Sequence, residues 1–77
     1  MPPRPNLEAT DLVTSARFAD TAELPRPRVR KWIERSEQII GRKVEPLGHL
    51  GAYETYDWND LAELERTMRR RRQQRAA

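Results

Sequence analysis

The stretch Pro25-Arg26-Pro27-Arg28-Val29-Arg30-Lys31-Trp32-Ile33-Glu34-Arg35 decides how the rest of the chain is read. At about 3.6 residues per turn, Val29, Trp32 and Ile33 share one side of a helix. Arg30, Lys31 and Glu34 point away from it, and Arg28 and Arg35 flank its edges. Such a helix can be fixed to a core by its apolar stripe while its cationic face lies on a polyanion. The alternative is an ordinary amphipathic helix with a solvated charged face. Pro25 and Pro27 cannot donate the backbone hydrogen bonds of a helix interior, so they belong in the preceding turn and the first helical turn.

Upstream, Thr14 is a plausible cap for a helix over residues 15–22, whose apolar positions are Phe18, Ala19 and Ala22. Leu24 enters the turn from Glu23 to Arg26, which lacks the glycine often found there. The pattern is helix, short turn, basic helix.

Downstream of Arg35 the pattern becomes strand-like: Ile39-Ile40, Lys43-Val44-Glu45, then Pro46 to Gly51 and Ala52 to Tyr56. It predicts a hairpin with Gly48 and Gly51 bracketing the tip, Pro46 at an edge or outside the ladder, and Tyr53 and Thr55 as strand formers. A loop without regular structure is the competing reading. Asp57 then caps a third helix, with Asp60 three residues on as an acidic version of a capping box. Trp58, Leu61, Leu64 and Met68 form a stripe that reads as core against the first two helices, or alternatively as a dimer seam of about two heptads. From Arg69 the chain runs into arginines suited to a helix carboxyl end and then a fraying tail.

Seventy-seven residues allow one small domain with a modest core. There is no cysteine to supply a disulfide or thiolate metal site, and the single histidine, His49, has no partners for zinc. With no apolar run near 18 residues and no charged-then-apolar amino terminus, the chain reads as cytoplasmic rather than membrane-bound or secreted. Its net charge of +3 is unevenly spread, because residues 26–35 hold five cations against one acid and residues 69–75 hold five arginines and no acid. Two such patches fit phosphates, although acidic proteins and anionic lipid attract the same charges. A glycine-rich phosphate loop, a nucleophile beside a base and a metal cluster are all missing, which argues against an enzyme and against a bound cofactor.

Taken in order, Thr14, Ala19, Leu24, Val29, Trp32, the Gly48-His49 pair, Tyr53 and the Asp60-Leu61 pair resemble the MerR-type winged helix-turn-helix of phage and plasmid excisionases and small actinobacterial regulators. The resemblance spans residues 12–68. It implies an α+β fold, a small winged helix-turn-helix with three helices and a two-stranded β-hairpin wing. Residues 1–11 are then a flexible tail, 12–68 the DNA-binding domain and 69–77 a basic carboxyl-terminal tail. The chain departs from the family where a cation usually follows the wing glycine and histidine, since Leu50-Gly51-Ala52-Tyr53-Glu54 carries none.

The resemblance further implies that the second helix enters the major groove of double-stranded DNA. Arg30 and Lys31 reach base edges, and Arg26, Arg28 and Arg35 bond to phosphates. The wing, with Gly48, His49 and Gly51 at its tip, sits on the neighbouring backbone with help from Arg42 and Lys43, while Arg69 and Arg70 add phosphate contacts. His49 reads equally as a solvated loop residue. A module of this size offers DNA only roughly 600–1,000 Å², so specificity calls for other copies bound to repeated sites. The expected activity is that of an excisionase, which bends DNA and works with an integrase, because little beyond the DNA-binding unit is visible. A transcriptional regulator with the same binding mode is the alternative. A third reading, from another class, is a protein-interaction module that docks a partner through the Trp58, Leu61, Leu64 and Met68 stripe.

Overall fold

Thr14 ends one element and starts the next. The computed structural model describes residues 12–76, so the reading of residues 1–11 as a tail lies outside the described residues. Leu12–Thr14 form strand β1, and the Thr14 hydroxyl then accepts the Arg17 backbone N–H at 3.1 Å to cap helix α1, Ser15–Thr21. The elements that follow are α2 (Arg26–Glu34), α3 (Ser36–Ile40), β2 (Gly48–Leu50), β3 (Tyr53–Asp57) and α4 (Trp58–Ala76). The α+β class agrees with the sequence reading. The inventory does not: the described residues hold four helices and a three-stranded antiparallel sheet, where three helices and two strands were expected.

The third strand is β1. It pairs with β3 as Leu12 with Asp57, Val13 with Tyr56 and Thr14 with Thr55, giving the order β1-β3-β2. Three residues are too few for an alternating pattern, and the partner lies more than forty positions away, so local sequence carried no sign of it.

α1 closes without glycine. The Leu24 N–H reaches back to the Ala19 carbonyl at 2.8 Å and the Glu23 N–H to the Asp20 carbonyl at 3.2 Å, while Glu23 takes a left-handed φ of 58°. This is a Schellman closure with glutamate in the place glycine usually holds. α2 begins as expected, with Pro25 as its cap residue and Pro27 in its first turn, where a missing N–H leaves no intrahelical bond unmade.

Ile39 and Ile40, read as strand-like, lie in the short helix α3 instead. Their β-branched side chains favour strands, but Gly41 at φ 77° ends a helical turn here and the preceding helix is almost continuous with it. Lys43 and Glu45 sit in irregular backbone, and Val44 between them is buried. The hairpin is present with a shifted tip. Gly51 and Ala52 form a two-residue turn, with Gly51 at φ 63°, whereas Gly48 lies inside β2 opposite Thr55.

Asp57 caps α4 by accepting the Asn59 N–H at 2.7 Å, as read, but the Asp60 carboxylate turns to Arg42 at 2.9 Å instead of completing a capping box. Trp58, Leu61 and Leu64 are buried, and the Phe18 and Trp58 rings meet edge to face at 4.9 Å between centroids. The stripe is therefore core. Val29, Trp32 and Ile33 of α2 and Phe18 and Ala19 of α1 belong to the same cluster, and Met68 at the end of the stripe is only partly buried against it. Beyond Met68 the arginine run continues α4 to Ala76, so the segment read as a fraying tail is helical.

Candidate nucleic-acid interface

α2 is held by Val29, Trp32 and Ile33, all buried, and the side away from that stripe faces solvent. Arg28, Arg30, Lys31 and Arg35 are exposed there, and among the described residues none of them meets a carboxylate within ion-pair distance. Their exposure agrees with the helical spacing of the buried stripe.

Three other expected cations, Arg26, Arg42 and Arg69, are engaged by acids. Arg26 forks onto the Asp20 carboxylate, Nε to Oδ1 at 3.0 Å and Nη2 to Oδ2 at 2.6 Å, which joins the start of α2 to α1. The hydrogen bond from Arg26 holds the Asp20 carboxyl below its usual range and the same bond raises Arg26 above its own. Arg42 bonds to Glu63 and Asp60 on α4, Glu63 foremost in raising its pKa, so the guanidinium ties the segment after α3 to α4. Both pairs draw charge away from any phosphate. In sequence, Asp20 and Arg26 are separated by a turn and Arg42 and Glu63 by a hairpin, so only folding brings them together.

The flanks of α2 differ in charge. On one side Arg26 and Arg30 share a cleft with Ala52, Tyr53, Glu54 and Tyr56 of the hairpin. Burial raises the Tyr56 hydroxyl pKa, with Glu54 adding to the effect, and Glu34 and Glu54 both line a second, smaller cleft beside Arg30. On the other side Arg28, Lys31 and Arg35 face Arg71 across a cleft with no acidic lining residue. Opposite charges thus offset Arg30 on the hairpin side, whereas no acid lines the cleft on the other.

The hairpin adds little charge. His49 is exposed and stands opposite Glu54, and next to the turn Leu50 and Tyr53 pair across the strands with 67% and 68% of their surface exposed. Lys43 is exposed in the segment before it. Of the arginines selected in the last helix, Arg69 lies 3.5 Å from Glu65 one turn earlier, and Arg70 is exposed.

Arg71 is not among the cations that the sequence reading assigns to phosphate. Its Nη2 donates to the carbonyls of Gln38 at 3.4 Å and Ile39 at 3.2 Å, satisfying orphan acceptors near the end of α3. The signal was its spacing, since Arg71 follows Leu64 by seven and Met68 by three and so continues the buried stripe toward α2 and α3.

Comparison with protein-family models, with curated proteins and with solved structures found no match to this chain. No helix among the described residues is long and apolar enough to cross a membrane.

Proposed function

We propose that this chain is a winged helix-turn-helix protein that binds double-stranded DNA sequence-specifically through α2 and acts as an excisionase. One observation carries the reading: Arg28, Arg30, Lys31 and Arg35 stand exposed on α2, on and beside the face turned away from its buried stripe, and are paired with no acid among the described residues. A helix about 10–12 Å across fits a major groove of similar width. Arg30 and Lys31 then reach base edges, and the planar fork of arginine matches guanine O6 and N7. Arg28 and Arg35 bond to phosphates on the groove walls and set register.

Lys43 and Arg70 add backbone contacts, and Arg69 joins them only by leaving Glu65. Arg26 and Arg42 join them only by exchanging Asp20, or Asp60 and Glu63, for phosphate, so their contribution is smaller. The hairpin acts as a wing through Gly48, His49 and Gly51, and the lack of cations there makes it the weaker half of the interface. One copy binds weakly, so several copies on repeated sites provide specificity and bend the duplex into the curved complex an integrase needs. The same binding across a promoter makes the protein a transcriptional regulator.

The test is a salt titration of the chain on duplexes selected from its source genome. With about four phosphate contacts, the slope of log Kobs against log salt is about −3.6, a loss of about a hundredfold between 50 and 200 mM. A flat salt dependence, or equal affinity for selected and scrambled duplexes, sinks the proposal. Footprints on direct repeats beside an attachment site favour excision, and footprints across a promoter favour regulation.

A further inference from the structure

The acid-free cleft between α2 and the carboxyl half of α4 has an apolar floor. Its volume is about 480 Å³, and Trp32, Ile39 and Met68 line it beneath a rim of Arg28, Lys31, Arg35 and Arg71. Ile39 and Met68 pack on the core yet remain only partly buried, so hydrophobic surface stays open between the cations. Arg71 is already fixed by its bonds to the Gln38 and Ile39 carbonyls. Both leave from Nη2 and Nη1 meets the Met68 sulfur at 4.0 Å, so Nε and the second Nη1 proton remain for a ligand.

A DNA strand satisfies the rim but gains nothing from the floor. An acidic protein segment with an apolar side chain satisfies both, because carboxylates meet the four cations while a leucine-sized group covers Ile39 and Met68. We infer that this cleft docks an acidic segment of a partner protein, with one apolar side chain inserted onto the Ile39 and Met68 floor. The inference does not require that the chain bind DNA. Because Arg28, Lys31 and Arg35 also belong to the proposed DNA face, partner and duplex compete for them.

The experiment uses the full chain and a fluorescein-labelled peptide of about four helical turns. Its residues are glutamates with two leucines on one face, and a control peptide of equal charge has serines in their place. Fluorescence anisotropy reads both affinities, and thermal melting checks the fold of each variant. The leucine peptide binds at least about tenfold tighter than the serine peptide, the effect of burying one leucine. Ile39→Ser removes that difference. Arg35→Glu, at an exposed position that leaves the core intact, weakens both peptides by about tenfold or more.

Equal affinity for the two peptides, no binding at millimolar peptide, or unchanged binding by Arg35→Glu overturns the assignment. Discrimination between the peptides without any duplex binding supports docking and removes the DNA reading. Duplex binding with equal peptide affinities does the reverse.

Discussion

The Ser36 hydroxyl accepts the backbone N–H of Val44 at 2.8 Å inside the core. Ser36 opens α3 and Val44 lies in the irregular segment before the hairpin, so one buried bond holds together elements that share no ladder. Ser36→Ala leaves that N–H without a partner in a site closed to water. It costs about 1–3 kcal/mol, measurable by urea denaturation, whereas a loss below a few tenths means that the segment adjusts to find another acceptor.

Glu23 carries the opposite kind of effect. Its left-handed φ of 58° costs an L-residue roughly 1–2 kcal/mol, from which the larger unfolded-state entropy of glycine takes back about 0.5–1. Glu23→Gly therefore stabilises the chain by about 0.5–1 kcal/mol in the same assay. A lower midpoint for that variant contradicts the Schellman closure.

The Asp20 and Arg26 pair makes a pH prediction. Because Arg26 depresses the folded-state pKa of Asp20, the pair contributes fully above the unfolded carboxylate range and is lost as pH falls through the depressed value. Carboxyl NMR titration of Asp20 is expected to give a midpoint below the ordinary aspartate range, and Arg26→Ala to move it upward. An Asp20 midpoint indifferent to Arg26→Ala breaks the assignment.

Asp20→Asn also releases Arg26 beside the proposed DNA face. Binding to every duplex should tighten and the salt slope steepen by about 0.9, one phosphate contact. Arg30→Ala and Lys31→Ala act differently, lowering discrimination between selected and scrambled sites by about 1–3 kcal/mol each. Arg28→Ala and Arg35→Ala weaken both duplexes alike and flatten the slope. Identical profiles for all of these variants would mean that DNA lies elsewhere.

Trp32 tests the anchor of α2. It is buried, so truncation to Ala costs about 3–5 kcal/mol, a large part of the total stability available to so small a domain. Circular dichroism of Trp32→Ala should show an unfolded or barely folded chain at room temperature.

How much was legible depended on range. Thr14 as a cap, the prolines of α2, the Val29, Trp32 and Ile33 stripe, and Leu61 and Leu64 as core all follow from spacing within one element, and all stand in the structure. The exposed cations of α2 follow from the same periodicity. Lone short segments were misread. Five residues of α3 gave no window long enough for helical periodicity, so Ile39 and Ile40 spoke only through their strand preference. Gly48 was placed at the turn because glycine usually marks turns, but Gly51 with Ala52 took that role.

Sequence by itself determined which faces of the long helices are apolar and which are cationic, because helical geometry converts residue spacing directly into direction. Tertiary structure alone decided which cations remain unpaired. Arg26 meets Asp20, Arg42 meets Glu63 and Asp60, and Arg71 meets the end of α3, while Arg28, Arg30, Lys31 and Arg35 meet no acid among the described residues. Pairing depends on distances across the fold, and β1 joining β3 obeys the same rule. Such contacts form between residues far apart in the chain, where local periodicity carries no information.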